Sequence, residues 1–166
     1  MPLAEAALPA VTITGPAPGS SELCESILRA LPNWFGIEEA LLEYVRDVAD
    51  LPTFTAHRNG EAIGLLSIKQ HFEHSAEIHL IAVRPEHHRS SAGRALVDAA
   101  ERWLLEHTAT RFLQVKTLSS SREDASYAAT RRFYSALGFV PLEEFPTLWG
   151  PRNPCLLLIK TLDGGR

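Results

Sequence analysis

Residues 77–96 open with Glu77-Ile78-His79-Leu80-Ile81-Ala82-Val83, pass through a polar turn, and enter an amphipathic helical pattern. The first amides of a helix have no partner inside it and sit at the positive end of its dipole. A diphosphate can accept hydrogen bonds from them where small residues let it come close. Ser90, Ser91, Ala92 and Gly93 are four small residues at that point, flanked by Arg89 and Arg94. The same run also suits a capped helix that binds nothing. Strand alternation predicts Glu77, His79 and Ile81 on one face. A carboxylate and an imidazole pointing together can move a proton. A solvated glutamate and a structural histidine are the plainer alternative.

The elements that must hold these residues follow from hydrophobic periodicity and turn chemistry. Val11-Thr12-Ile13 is a short β-branched run, expected to stop at Gly15-Pro16-Ala17-Pro18-Gly19. Ser20 or Ser21 can cap a helix running to about Ala30, ended by Leu31-Pro32-Asn33. A second helix follows Gly36, with Ile37, Ala40, Leu41, Tyr44, Val45 and Val48 as its apolar stripe. Leu51 to His57 and Ala62 to Gln70 read as a hairpin across Asn59-Gly60. Ala76 to Val83 is the next strand. A long helix follows Gly93, with Leu96, Ala99, Ala100, Trp103 and Leu104 on one face and Glu101 turned away from it. Phe112 to Thr117 is a strand, and the polar loop Leu118 to Asp124 leads to a helix that ends at Leu137 and Gly138. Phe139 to Phe145 and Pro154 to Thr161 close the chain as strands. This order predicts an α+β (mixed α/β) domain with a hairpin-rich central sheet.

The chain has 166 residues, 45% apolar and 22% charged, with a net charge of −4. These values fit one domain over residues 1–166, with a loose arm over 1–10 and a short tail over 162–166. The acidic balance gives no footprint for nucleic acid. No run of about 18 apolar residues is present, so no membrane span is expected. MPLAEAALPA lacks the basic and apolar regions of a secretory signal, and a cytoplasmic location is expected. Cys24 and Cys155 are far apart and read as reduced thiols. His87 and His88 are adjacent rather than on one helical face, so no metal site is expected. Neither a Gly-x-x-x-x-Gly-Lys-Ser/Thr nor a Gly-x-Gly-x-x-Gly loop occurs.

The strand, turn and helix together resemble the GCN5-related N-acetyltransferase (GNAT) superfamily. That family has a strand ending Val-x-Pro, matched by Val83-Arg84-Pro85, and a Gln/Arg-x-x-Gly-x-Gly/Ala turn. The turn maps onto His88-Arg89-Ser90-Ser91-Ala92-Gly93. His88 stands where Gln or Arg is usual, and Ser91 where the first glycine is usual. A Cβ at Ser91 would strain a positive φ. In a helical or capping conformation, Ser91 could still offer its amide and hydroxyl. A second match is Thr130-Arg131-Arg132-Phe133-Tyr134-Ser135-Ala136-Leu137-Gly138-Phe139, similar to the family's helix with a tyrosine before a Gly-Phe exit.

The resemblance covers about Ser20 to Thr161. It implies a mostly antiparallel sheet of about seven strands, splayed in the middle and flanked by four helices. It implies acetyl-CoA as co-substrate, its diphosphate on the Arg89 to Arg94 turn and its pantetheine along Leu80, Ile81, Ala82 and Val83. Tyr134 then lies near the cofactor sulfur and assists the leaving thiolate, although a core aromatic is the alternative. The family often has asparagine seven residues earlier. Tyr127 holds that position, so this polar cofactor contact is lost or replaced. Glu77 stands where one branch carries a glutamate base, with His79 beside it. Trp34 and Phe35, with Phe145 and Trp149 in the last hairpin, fall in regions that face the acceptor in that family. Carboxylates with tryptophan could hold a cation; core anchoring is the alternative. The expected function is acetyl transfer to the amine of a small molecule in a ternary complex. A protein-amine acetyltransferase and a non-catalytic acyl-CoA sensor are the alternatives, and a homodimer is left open.

Overall fold

The computed structural model describes residues 9–163. The expected arm falls outside the described residues over 1–8, as does the expected tail over 164–166. The elements run β1 (Thr12–Pro18), α1 (Ser21–Arg29), α2 (Glu38–Asp47), β2 (Pro52–Arg58), β3 (Glu61–Phe72), β4 (Ser75–Val83), α3 (Ala92–His107), β5 (Phe112–Leu118), α4 (Ala125–Ala136), β6 (Val140–Phe145) and β7 (Cys155–Thr161). Their order is the one the sequence predicts. Ser20 caps α1 by accepting from the Leu23 amide, and Asp124 caps α4 by accepting from Tyr127. Asn59 and Gly60 turn the β2–β3 hairpin with φ of 53° and 75°.

Two expectations about element ends are corrected. The proline- and glycine-rich run does not stop β1, because an edge strand tolerates proline and a register shift falls between Thr14 and Ala17. Ile37 is the exposed N-cap of α2 rather than part of its buried stripe. Glu101, expected away from the apolar face of α3, meets Nζ of Lys160 on β7 at 2.7 Å.

The seven strands form one sheet in the order β1-β2-β3-β4-β5-β7-β6. Every neighbouring pair is antiparallel except β4 and β5. On one face, α3 and Tyr134 of α4 pack over Leu66, Ile68, Ile78 and Val115. On the other, α1 and α2 bury Cys24, Ile27, Leu28 and Leu41 against Leu65, Leu80 and Ala82.

The sheet opens between β4 and β5. In β4, Leu80 pairs with Ser67 and Ile78 with Ile68, so His79 is an extra residue, a β-bulge. Such a bulge bends its strand and increases the twist. The β4–β5 ladder runs only from Ser75 with Phe112 to Ile78 with Val115, and the bulge follows its last pair at once. Beyond it, Leu80–Val83 pair with β3 and Lys116–Leu118 with β7, but not with each other. The bulge also overturns the expected face of Ile81. Ile81 and Val83 pack toward α3, whereas His79 meets α2 and Glu77 lies on that same α2 side.

Candidate active site

The strand edges that diverge after Ile78 carry main-chain groups with no strand partner across the gap. An extended ligand with its own amides can pair there. Leu80 and Ile81 line a cavity of about 850 Å3 at this gap, together with Val115 to Leu118 of β5. Ala82 and Val83 lie farther along β4, toward the turn that opens α3.

In that turn Arg89 and Ser91 both have positive φ, 62° and 65°. Ser91 therefore takes the strained left-handed conformation rather than a helical or capping one, and its side chain makes no cap bond. The Ser90 hydroxyl donates to the His87 carbonyl. Left-handed residues interleaved with others turn successive amides inward, a concavity suited to anions. Ala92 is buried, and Gly93 approaches α4 so closely that a Cβ would lie 3.0 Å from the Phe133 ring. Arg58 of β2 braces the turn, donating to His87 Nδ1 at 3.1 Å and to the Ser90 carbonyl at 3.2 Å. His88 donates Nε2 to the Val83 carbonyl at 2.8 Å, so that ring nitrogen ties the turn to β4. The guanidinium groups of Arg89 and Arg94 flank the turn in sequence. These features fit a diphosphate.

Tyr134 belongs to the core on the α3 face, yet it also lines the cavity. Burial first, then the nearby Tyr44 and Tyr127, push its phenol far above the ordinary value. The group stays protonated and able to donate. Tyr127 lines the cavity too, but its hydroxyl donates to the Trp34 carbonyl at 2.9 Å.

Glu77 is 7% exposed and fully engaged. Its carboxylate accepts from His71 Nε2 at 2.7 Å, Gln114 Nε2 at 3.1 Å and Lys116 Nζ at 3.2 Å. Burial pushes this carboxyl up, but the bonds from His71 and Gln114 and the Lys116 charge outweigh it and hold it below the ordinary value. Glu77 thus fastens β4 to β5 just before they part. His79 makes no bond to Glu77. Its Nε2 donates to Asp47 Oδ2 at 2.8 Å, and its ring stands edge-on to Tyr44.

The cavity walls hold Trp34 and Phe35 from the α1–α2 loop and Trp149 from the β6–β7 connection. The Trp34 indole donates to Thr130 Oγ1 of α4 at 3.0 Å, so the loop crosses the gap. Phe145 does not reach the cavity; it pairs with Cys155 at the end of β6. Sequence reasoning missed Asp47, Tyr44, Lys116 and Arg58. Only Asp47 and Tyr44 left a signal: at i and i+3 on one helix, they share a face.

Among the described residues, no helix is long and apolar enough to cross a membrane. No curated protein matches the sequence. Similar solved structures include one assigned to the GNAT acetyltransferases from Desulfovibrio desulfuricans. It is 19% identical, with a TM-score of 0.79, over 93% of this chain and 100% of that one. The ribosomal-protein-S18-alanine N-acetyltransferase of Escherichia coli is 18% identical, with a TM-score of 0.72, over 95% and 97% of the two chains. An aminoglycoside 6'-N-acetyltransferase complexed with coenzyme A is 16% identical, with a TM-score of 0.71, over 93% and 99%. A family model described as acetyltransferase (GNAT) matches residues 21–139, spanning the open strand pair, the turn and the tyrosine helix. With that match over most of its length, the chain belongs to the acetyltransferase (GNAT) family of acyltransferases.

Proposed function

We propose that the protein transfers the acetyl group of acetyl-CoA to the amine of a small molecule, both substrates being bound together. The observation that carries this reading is a single cavity joining the open β4–β5 edges to the Tyr134 phenol. The turn from Arg89 to Arg94 would hold the diphosphate, and Leu80 to Val83 the pantetheine. Tyr134 would give its proton to the departing thiolate, a role suited to a phenol kept protonated by burial.

The size and walls of the cavity support a small acceptor. About 850 Å3 lies within the range of small-molecule sites. Trp34, Phe35, Tyr44 and Trp149 give it aromatic walls, and Glu39, Glu43 and Asp47 add acidic groups along α2. Aromatic faces and carboxylates together hold a cation. A solved relative in fold acts on an aminoglycoside and another on a ribosomal protein's alanine. The test is acetyl-CoA-dependent thiol release with kanamycin, spermidine, tyramine and an alanine-start peptide, beside a thermal-shift titration with acetyl-CoA. Release with a small amine supports the reading. Release with the peptide alone moves the acceptor to a protein amine. A thermal shift with no release from any amine would make the protein a sensor.

A further inference from the structure

The α2 face of the sheet carries two acid–base groups of opposite character. Glu77 is neutralised, each of its oxygens accepting from Lys116 and one also from His71 and Gln114. It is absent from the residues that line the cavity. A carboxylate held below its ordinary value by three donors is a weak proton acceptor.

His79, two residues on, has the complementary arrangement. The bulge turns it toward α2, where Nε2 meets Asp47 Oδ2 at 2.8 Å. A carboxylate accepts only, so Nε2 carries the hydrogen and Nδ1 keeps its lone pair. Nδ1 has no hydrogen-bond partner among the described residues. The ring is held edge-on by Tyr44, with centroids 5.3 Å apart. His79 and Asp47 line the same cavity as Tyr134. The other ionisable groups that line this cavity are Glu39, Glu43 and Tyr44 of α2, Lys69 of β3, Lys116 of β5, Arg122 and Asp124 just before α4, and Tyr127 and Tyr134 of α4. Glu77 balances Lys116 from β4 itself.

We propose that His79, oriented by Asp47, is the group that takes the acceptor's proton, and that Glu77 is a clamp on the strand pair. The assignment rests on the acetyl-transfer reading. An ammonium acceptor loses one proton to Nδ1, and His79 passes it to solvent. The neutral amine attacks the thioester carbonyl carbon. The C–N bond forms as the C–S bond breaks, and the thiolate takes the Tyr134 proton. The remaining proton lost from nitrogen restores the phenol. Asp47 touches no reacting atom; it is a positioning residue that fixes the tautomer and stabilises the imidazolium.

The experiment has an arm that needs no acceptor. Imidazole nitrogen shifts of the 15N-histidine protein, alone and saturated with acetyl-CoA, are expected to show His79 as the Nε2–H tautomer. The Nδ1–H tautomer would overturn the proposal. The second arm measures kcat/KM against pH, with acetyl-CoA saturating, for the wild type, His79→Gln, Asp47→Asn and Glu77→Gln, using the amine that releases thiol. His79→Gln should lose about 100-fold in rate near neutrality, and its kcat/KM should then climb with pH until the acceptor amine is itself neutral. Asp47→Asn should lower kcat/KM about ten-fold with the acetyl-CoA thermal shift intact, because the ring loses the carboxylate that fixes its tautomer. Glu77→Gln should keep the shape of the wild-type profile. A His79→Gln profile that superimposes on the wild type, or a Glu77→Gln profile that matches the one expected for His79→Gln, sinks the assignment. Acetyl-CoA thermal shifts on each variant separate the two readings. An intact shift with an unchanged His79→Gln profile defeats only the histidine, whereas no shift and no release in the wild type defeats acetyl transfer itself.

Discussion

The Trp34 indole stands edge-on to the His88 imidazole, with ring centroids 5.6 Å apart. A loop expected to face the acceptor thereby touches the turn expected to face the diphosphate. Trp34→Ala also removes the bond to Thr130 across the gap. We expect it to raise the KM for acetyl-CoA as well as for the acceptor in steady-state assays. An acetyl-CoA KM left at the wild-type value would show that loop and turn act independently.

Ser91 occupies the left-handed region with a Cβ, which costs about 1 kcal/mol relative to glycine. Ser91→Gly should therefore stabilise the protein, by about 2–4 °C in melting temperature for a chain of this size. Acetyl-CoA should still shift the melt. A lower melting temperature would mean that the hydroxyl contributes more than the strain costs.

A Cβ at Gly93 would lie 3.0 Å from the Phe133 ring, so any side chain there must push the ring aside. Gly93→Glu should abolish the thermal shift given by acetyl-CoA, since it places bulk and negative charge at the turn proposed to hold the diphosphate. Gly93→Ala is the companion variant: it meets the same ring without adding charge, and should retain part of the shift. A full shift in Gly93→Glu would remove the turn from the binding site.

Glu77 makes stability depend on pH in a defined direction. Its folded carboxyl titrates below the ordinary 4.5, so its contribution is complete above that pH and fades as pH falls through the folded value. At pH 7, Glu77→Gln should cost about 2 kcal/mol, because Lys116 loses its counter-ion and His71 its acceptor. Denaturant melts at several pH values should show the gap from wild type closing below about pH 4.5. A constant gap across pH would mean that the loss is steric.

Tyr134→Phe removes one hydroxyl from a buried ring and little volume. The turnover number should fall by about 100-fold while acetyl-CoA affinity, read by calorimetry, stays the same. Unchanged turnover would leave Tyr134 as a core aromatic.

Much of this architecture was legible in the residues. Hydrophobic period and the Asn59-Gly60 and Gly138 signals placed every helix and strand in order. The resemblance of two short segments pointed to the family. What stayed hidden depends on register and distance. Alternation along Ala76 to Val83 reads as an even strand, and nothing in it marks His79 as the extra residue, because a bulge is defined by its partner strand. The Asp47–His79 pair joins residues 32 apart in sequence, so only the folded packing of α2 on β4 reveals it. Glu77 was visible as a chemical group, but its partners Lys116 and Gln114 come from β5, beyond the reach of local pattern. Phe145 sat in the right loop region by chain order, yet strand pairing with Cys155 draws it away from the cavity.

The short parallel ladder between β4 and β5 also has a mechanical meaning. Within the sheet, four residue pairs, from Ser75 with Phe112 to Ile78 with Val115, join one antiparallel half, β1 to β4, to the other, β5 to β7. Past these pairs the halves behave as the open jaws of a clip, and α3 is the spring that joins them through the chain. Anything that fills the jaws with its own amides extends the seam and couples the two halves. In such a molecule an extended ligand would supply part of the scaffold, and the seam would be longest while that ligand is held.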